Sequence, residues 1–143
     1  MSGNETILEV RNLKKYFFSG KKRRGREPRA VKALDGVSFS MEYGETLGVV
    51  GESGCGKSTL GRTILRLHEP TEGQVVYRGK NLAEYGREEM RQMRRELQII
   101  FQDPYSSLDP RNTCEDIIAE PLKVHNIITD PKARQERVLE LMR

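Results

Sequence analysis

The sequence has few of the residues that build disulfide frameworks or metal centres. Its 143 residues contain two cysteines, two histidines and no tryptophan. Cys55 and Cys114 stand in unrelated surroundings, and no Cys-x-x-Cys or Cys/His cluster occurs. Neither a disulfide framework nor a metal site with soft ligands is therefore expected. The apolar runs are also short, and none approaches the ~20 residues that a membrane-spanning helix needs.

The N-terminus lacks a basic stretch followed by an apolar one, so no secretory signal is visible and a cytoplasmic protein is expected. The length allows one domain or part of a larger one. Basic residues are unevenly placed: residues 1–30 hold nine Lys and Arg against three Glu, whereas the remainder holds sixteen basic and eighteen acidic residues. A basic surface over the whole protein is therefore not expected. The basic cluster at 21–26 is predicted to be a solvated loop, with contact to an anionic membrane or nucleic acid as the functional alternative.

One glycine-rich stretch matches the phosphate-binding loop G-x-x-x-x-G-K-[ST], also called Walker A. An apolar run at 46–50 precedes it and a helical pattern at 59–67 follows, which is the strand–loop–helix context of this motif. This context argues against a glycine turn that contains Lys-Ser by chance. The predicted nucleotide-binding residues of the loop are Gly51, Glu52, Ser53, Gly54, Cys55, Gly56, Lys57, Ser58 and Thr59.

The residue types of the loop suit phosphate chemistry. Glycines let the backbone wrap closely around an oxyanion, with successive amides pointing inward as an anion nest at the start of a helix. Lys57 is predicted to reach the β- and γ-phosphates as a mobile point charge. The hydroxyl of Ser58 is predicted to ligate Mg²⁺, and Thr59 is a candidate for the α-phosphate.

Short strands and helices surround the loop. A first strand is predicted at 7–13 and is followed by an aromatic cluster at 14–18. Two further strands are predicted at 31–34 and 37–41, on either side of a turn at Asp35–Gly36. Later strands are predicted at 74–77 and at 98–101, the last as a buried strand of a parallel sheet. One helix is predicted at 87–96. A second begins after an N-cap at Asn112 or Thr113 and is interrupted by Pro121. A third begins at Asp130–Pro131, with Asp as the cap and Pro as the first helical residue. In the last helix Ala133, Val138, Leu141 and Met142 suggest a buried stripe.

Residues 99–111 resemble the Q-loop segment of ATP-binding cassette (ABC) transporter ATPases. Their sequence, Ile-Ile-Phe-Gln-Asp-Pro-Tyr-Ser-Ser-Leu-Asp-Pro-Arg, looks like that of the peptide and nickel importer branch. Residues 13–17 resemble the adenine-stacking A-loop of that family, and 31–39 its second strand region. The matches cover the chain in the correct order. The resemblance implies an α/β P-loop NTPase fold with antiparallel N-terminal strands. Residues 1–111 would form the N-terminal part of the nucleotide-binding core, and 112–143 the beginning of the helical subdomain.

The resemblance also assigns roles outside the loop. Tyr16 would stack on adenine, with Phe17 or Phe18 as rivals. Gln102 would contact Mg²⁺ and the attacking water and would couple the site to membrane subunits. Its amide suits this because it both donates and accepts hydrogen bonds. Asp103 resembles a Walker B acid, but Pro104 follows where the family has Glu, so Asp103 is interpreted as part of the Q-loop.

The chain also departs from the family. It has no signature motif Leu-Ser-Gly-Gly-Gln, no Walker B Asp-Glu pair, no D-loop and no switch histidine. It is therefore interpreted as the N-terminal part of a longer subunit, truncated in the helical subdomain. We expect the isolated chain to bind Mg-ATP weakly, to lack useful hydrolysis, and to be marginally stable or insoluble because unpaired apolar strands invite aggregation.

For the complete subunit the resemblance implies ATP hydrolysis that drives import of oligopeptides or dipeptides at the cytoplasmic face of the membrane. Peptide and nickel substrates are not separated by the sequence. The implied partners are a second ABC ATPase subunit, two transmembrane permease subunits and an extracytoplasmic substrate-binding protein, without nucleic acid. Two alternatives remain: a soluble ABC-type ATPase that acts on nucleic acid through residues 21–26, and a nucleotide-binding fragment that does not hydrolyse ATP.

Overall fold

A computed structural model describes residues 5–19, 29–103 and 105–143. The chain forms two compact units, Met1–Gly86 and Arg87–Arg143, which are described separately below. The basic cluster at 21–26 and the Pro104 of the Q-loop lie outside the described residues. Among the residues described, no helix is long and apolar enough to cross a membrane.

The first unit is built on an antiparallel sheet with strand order β2-β1-β3-β4. β1 spans Thr6–Ser19, β2 spans Arg29–Glu42, β3 spans Glu72–Tyr77 and β4 spans Lys80–Asn81. β1 pairs with β2 on one side and with β3 on the other, antiparallel in both cases. The prediction of antiparallel N-terminal strands is thereby confirmed.

The helix α1 (Lys57–Ile64) packs against β1 and β2 of this sheet, and a 3-10 turn at Leu82–Glu84 lies against β3. Leu60 and Thr63 of the helix are buried, and the Thr63 hydroxyl donates to the Thr59 carbonyl at 2.7 Å. On the sheet, Val10 and Leu13 of β1 are fully buried, and Leu34 of β2 and Val75 of β3 are nearly so. The core of this unit therefore lies between α1 and the sheet.

The turn predicted at Asp35–Gly36 is absent from the described part of the chain, and β2 runs through these residues. Gly36 takes a positive φ of 91°. It has no partner residue on β1, since Asp35 pairs with Lys14 and Val37 pairs with the preceding residue, Leu13. This is a β-bulge, which uses glycine's access to the left-handed region without reversing the chain. The prediction of two short strands is therefore wrong, and one bulged strand replaces them.

The apolar strands predicted at 46–50 and 98–101 are not strands in the structure. Neither segment has a strand partner among the residues described, and Val50 and Ile100 are 93% and 91% exposed. A strand satisfies its backbone N–H and C=O groups only through a neighbour. Apolar character alone therefore does not produce a strand here.

The second unit is helical. It contains α2 (Arg87–Met93), α3 (Cys114–Val124) and α4 (Pro131–Leu141), with a 3-10 turn at Tyr105–Ser107. Thr113 caps α3 in a reciprocal capping box with Asp116, and the Asp130 side chain accepts from the Ala133 amide at 2.8 Å to cap α4. Both predicted caps are confirmed, with Thr113 chosen over Asn112.

Two predictions for these helices are wrong. Pro121 lies inside α3 without ending it, because the fixed φ of proline is itself helical and only one backbone hydrogen bond is lost. The buried stripe of α4 reduces to Val138, since Leu141 and Met142 are half exposed and Ala133 is exposed.

Candidate nucleotide-binding site

The glycine loop at 51–56 leads directly into α1. Gly54 and Gly56 take positive φ angles of 82° and 101°, which side chains disfavour. Gly56 also lies against the backbone of β2: a Cβ at this position would be 2.4 Å from the Ala33 carbonyl oxygen and 3.4 Å from the Leu34 side chain. The loop is therefore seated on the sheet through a glycine that no larger residue can replace without movement.

Lys57, the first residue of α1, turns its side chain back over this loop. Its Nζ donates to the carbonyl oxygens of Gly51 at 2.7 Å and Glu52 at 2.5 Å, and lies 3.5 Å from the Sγ of Cys55. A single ammonium group thus contacts three residues of the loop. Neutral carbonyls are weaker partners for an ammonium than an anion would be, so a phosphate can compete for these bonds.

The beginning of α1 presents unpaired amides. The first helical bond runs from the Leu60 amide to the Gly56 carbonyl at 2.8 Å, so the amides of Lys57, Ser58 and Thr59 precede it and have no intrahelical acceptor. The N-cap residue is Gly56, which offers no side-chain acceptor. Together with the helix dipole, these amides form a site suited to an anion.

Ser58 and Thr59 differ in burial. Ser58 is exposed at the helix start, where its hydroxyl is available to a ligand, whereas Thr59 is half-buried. Hydroxyl oxygen is a hard ligand of the kind that Mg²⁺ accepts alongside phosphate oxygens and water. The fold thus places the loop residues predicted from the motif next to one another at the start of α1, and their roles toward nucleotide and Mg²⁺ stay predictions.

Tyr16 follows Lys15, whose partner Leu34 lies beside Gly56, so by strand alternation Tyr16 lies on the sheet face opposite to α1. Its hydroxyl donates to Asp35, and Lys32 donates to the other oxygen of Asp35 at 3.1 Å while lying 5.2 Å from the Tyr16 ring centroid. The hydrogen bond with Asp35 raises the pKa of Tyr16, and the bonds from Tyr16 and Lys32 lower the pKa of Asp35. The predicted base-stacking role of Tyr16 stays a prediction, although its hydroxyl is engaged on this face.

Phe17 points to the other face, because successive residues of a strand alternate. Its ring makes an edge-to-face contact with His68, with centroids 5.5 Å apart, and Lys15 Nζ lies 5.0 Å from its centroid. In the sequence His68 looks isolated. No local pattern could reveal a contact between residues 51 positions apart, although the alternation of β1 does place Lys15 and Phe17 together.

Gln102 belongs to the second unit, where it is exposed and follows the unpaired segment 98–101. The next residue, Asp103, accepts a hydrogen bond from the Tyr105 amide at 3.1 Å, and its carbonyl accepts from the Ser107 hydroxyl at 3.2 Å. Asp103 thus stabilises its own loop. The predicted roles of Gln102 toward Mg²⁺ and water stay predictions.

A glycine loop followed by a helix whose first residue is a lysine folded back over the loop is typical of the P-loop class of proteins. The sequence model of the ABC transporter family matches residues 34–143, and the chain belongs to this family. Among solved structures, the dimeric ATP-binding cassette MJ0796 in a post-hydrolysis state with ADP and phosphate has a TM-score of 0.72 at 26% identity. That match covers 94% of this chain and 55% of the other. The expected fold class is thus confirmed.

Several curated relatives are similar over almost the whole chain. The oligopeptide transport ATP-binding protein AppF of Bacillus subtilis is 50% identical over 99% of this chain and 43% of its own length. The dipeptide transport ATP-binding protein DppF of Haemophilus influenzae is 48% identical over 97% of this chain and 42% of its own length. The oligopeptide transport ATP-binding protein OppF of Escherichia coli is 44% identical over 98% of this chain and 42% of its own length. The chain spans less than half the length of these relatives.

Proposed function

We propose that the chain binds Mg-ATP at residues 51–59. The single observation that carries this is the position of Lys57, whose ammonium is held over the loop by the Gly51 and Glu52 carbonyls. In the bound state the ammonium exchanges these carbonyls for the β- and γ-phosphate oxygens. The amides at the start of α1 bind phosphate oxygens as well, Thr59 lying nearest the α-phosphate.

The residues present fit an Mg²⁺ ion that is bound together with the phosphates of ATP. The Ser58 hydroxyl would hold the ion together with phosphate oxygens, and Gln102 of the second unit is the proposed further ligand. When bound, Mg²⁺ would supply positive charge that neutralises the phosphate oxygens of ATP. Binding and orientation by the chain's own residues do not depend on this ligand assignment.

In the longer subunit, ATP binding and hydrolysis would energise import of oligopeptides or dipeptides. The names of the relatives at 44–50% identity support this, since each is a peptide transport ATP-binding protein. The proposed partners are a second ATPase subunit, two permease subunits and an extracytoplasmic binding protein, with the subunit at the cytoplasmic face of the membrane. The proposed division at 111/112 separates the nucleotide-binding core from the helical subdomain.

The nucleic-acid alternative is not favoured. It depends on residues 21–26, which lie outside the described residues, and the relatives cited above are named for transport. The matched relatives also give the peptide branch more support than the nickel branch, because their names specify oligopeptides or dipeptides.

Equilibrium binding of Mg-ATP to the purified chain tests the proposal. Lys57→Ala removes the ammonium group that lies over the loop and should weaken binding roughly tenfold to a hundredfold, the effect of losing a charged hydrogen bond. Lys123→Ala, an exposed lysine in α3, is the matched control and should leave binding unchanged. Equal affinity of the Lys57 variant and the wild type would refute the site.

Turnover of ATP by the same preparation is a separate measurement. No Asp-Glu pair follows an apolar strand anywhere in residues 1–143, so the chain lacks the carboxylate expected to activate water. We therefore expect binding without useful hydrolysis. ATPase activity that disappears in Lys57→Ala would contradict this expectation.

A further inference from the structure

The helix that begins at the phosphate loop is followed by a residue in an unusual conformation. Arg66 has a φ of 52°, in the left-handed region that residues with a side chain disfavour. Its amide donates to the Thr63 carbonyl at 3.0 Å, and the Leu67 amide donates to the Arg62 carbonyl at 2.8 Å. These two bonds form the Schellman motif that commonly ends helices, with arginine at the position where glycine is usual.

The side chain of Arg66 makes three hydrogen bonds that offset the cost of this conformation. Its Nη1 donates to the carbonyl oxygens of Leu82 and Tyr85, at 2.9 Å in each case, and its Nε donates to the Glu69 carboxylate at 2.9 Å. The side chain is 23% exposed, so water competes little for these bonds. Hydrogen bonds from a charged donor are stronger than neutral ones. Arg66 therefore fastens the end of α1 to residues 82–85.

The opposite end of α1 carries the groups that would bind phosphate. These are the amides of residues 57–59 and the ammonium of Lys57, while Gly56 seats the preceding loop against β2. The buried Leu60 holds the middle of the helix against the sheet. A helix of eight residues is a rod about 12 Å long, so a change of tilt at one end moves the other end as well. The contacts of Arg66 thus help to determine where the first-turn amides point.

We propose that Arg66 is a positioning residue for phosphate binding, which fixes the tilt of α1 by tying its C-terminal end to residues 82–85. This rests on the proposed function, because it assumes that the phosphates of the nucleotide bind at residues 51–59. Arg66 acts through the helix and not through direct contact, since it lies at the end of α1 opposite to the loop. By linkage, a ligand that requires this tilt strengthens the contact of Arg66 with residues 82–85 by the same factor.

Two substitutions at position 66 separate positioning from stability. Arg66→Gly and Arg66→Ala both remove the side-chain bonds, but only glycine accepts the left-handed backbone without strain. Arg66→Ala should therefore unfold at a lower urea concentration than Arg66→Gly. Both should bind Mg-ATP roughly twofold to tenfold more weakly than the wild type, the effect of losing ordinary hydrogen bonds. A larger loss of affinity in Arg66→Ala would mean that affinity follows stability and would overturn the positioning role.

Arg62→Ala is the matched control for charge. Arg62 is exposed in the last turn of α1, so its loss changes the net charge as much as the loss of Arg66 while the bonds to residues 82–85 stay in place. Its Mg-ATP affinity should equal that of the wild type. A loss as large as that of Arg66→Ala would assign the effect to attraction between arginine and phosphate and would contradict the proposal. Inorganic tripolyphosphate, which has no base, should follow the same pattern as Mg-ATP, and unchanged tripolyphosphate affinity in Arg66→Gly would refute a role toward phosphate.

Hydrogen exchange tests the same link in the unsubstituted chain. The Tyr85 amide donates to the Leu82 carbonyl at 3.3 Å, beside the contacts of Arg66. Saturating Mg-ATP should slow exchange of the amides of residues 83–86 by a factor similar to the loss of affinity in Arg66→Gly, and this slowing should be absent from that variant. Unchanged exchange in the wild type with ligand bound would overturn the proposal.

The outcomes distinguish this role of Arg66 from the proposed function. Wild-type affinity in Arg66→Gly would leave the phosphate site standing and remove the role of Arg66. A wild-type chain that binds neither Mg-ATP nor tripolyphosphate would overturn the phosphate site and the positioning role together.

Discussion

At the scale of single residues, Gly56 links the loop to the sheet. It combines a positive φ of 101° with a position where a Cβ would meet the Ala33 carbonyl oxygen at 2.4 Å. Ala33 is held between Lys32 and Leu34, which pair with Tyr16 and Lys15, so its carbonyl cannot move aside as the end of a flexible side chain can. The loop and β2 are therefore coupled at this point.

Gly56→Ala should lower the free energy of unfolding by about 1–3 kcal/mol, the cost of a strained backbone, and should also weaken ATP binding. Urea unfolding and nucleotide titration measure the two effects. Gly61→Ala is the control, because Gly61 lies inside α1 with nothing within 4 Å of an added Cβ. That substitution should stabilise the chain by about 0.5–1 kcal/mol. Equal stability of the two variants would contradict the contact with Ala33.

The loop residues could be predicted from the sequence because the motif is local and its chemistry follows from residue types. The place of Lys57 directly after the glycine loop is of this kind, whereas its hydrogen bonds to the Gly51 and Glu52 carbonyls were not predicted. The cluster of Phe17 and His68 could not be predicted in this way, since it depends on strand register and on where the chain returns after α1. Long-range contacts of single residues need the fold.

At the scale of elements, α3 begins with a complete capping box. The Thr113 hydroxyl donates to Asp116 Oδ2 at 2.6 Å and accepts from the Asp116 amide at 3.1 Å, while the Thr113 amide donates to the same carboxylate at 3.1 Å. The hydrogen bond from the Thr113 hydroxyl, together with that from its amide, lowers the pKa of Asp116. The start of α3 is thus stabilised by an ionised carboxylate.

Thr113→Ala should destabilise the second unit by about 1 kcal/mol through loss of the cap. Thr129→Ala, an exposed threonine outside the cap of α4, is the matched control and should have little effect. Circular dichroism at 222 nm during urea unfolding follows the loss of helix. Indistinguishable unfolding curves for the two variants would show that the capping box adds nothing.

The pH dependence of this cap has a definite sign. A carboxyl whose pKa is lower in the folded chain contributes stability above its ordinary pKa, and this contribution is lost as the pH falls through the lowered folded value. Thr113→Ala should therefore move the Asp116 pKa back toward 3.8. An NMR titration of the Asp116 carboxyl carbon measures this shift directly, and an unchanged midpoint would argue against the hydroxyl as its cause.

Helix starts were predictable from the sequence, whereas interruptions were not. Thr113 and Asp130 are followed by acidic residues or proline at the positions that capping chemistry requires. Pro121 and Gly36 are breakers in isolation, yet α3 and β2 continue through them. Neighbouring hydrogen bonds compensate for one missing donor or one skipped pair.

At the scale of the whole molecule, family membership and fold class follow from motifs in the correct order, but the sheet of the described chain is antiparallel only. The segments 46–50 and 98–101 have the composition of buried parallel strands and lack strand partners among the described residues. Composition predicts that a segment can be buried, while its partner decides whether it becomes a strand. These two segments are therefore the parts of the fold that the sequence could not determine.

Their exposure has a consequence for solubility. Val50 and Ile100 present apolar side chains on backbone whose hydrogen-bonding groups are not paired in a sheet, which favours association between copies of the chain. Val50→Lys and Ile100→Lys should each reduce concentration-dependent light scattering of the purified chain. Because both side chains are more than nine-tenths exposed, each substitution should change the free energy of unfolding by less than about 0.5 kcal/mol.

Leu139→Lys distinguishes strand-like association from general hydrophobic adhesion. Leu139 is 49% exposed on α4, whose helical backbone offers no strand edge to a second chain, so its replacement should reduce scattering far less than the other two. A similar reduction in all three variants would indicate simple hydrophobic contact. A wild-type chain that stays monomeric at high concentration and melts in one sharp transition would contradict the argument, because the unpaired segments would then carry no tendency to associate.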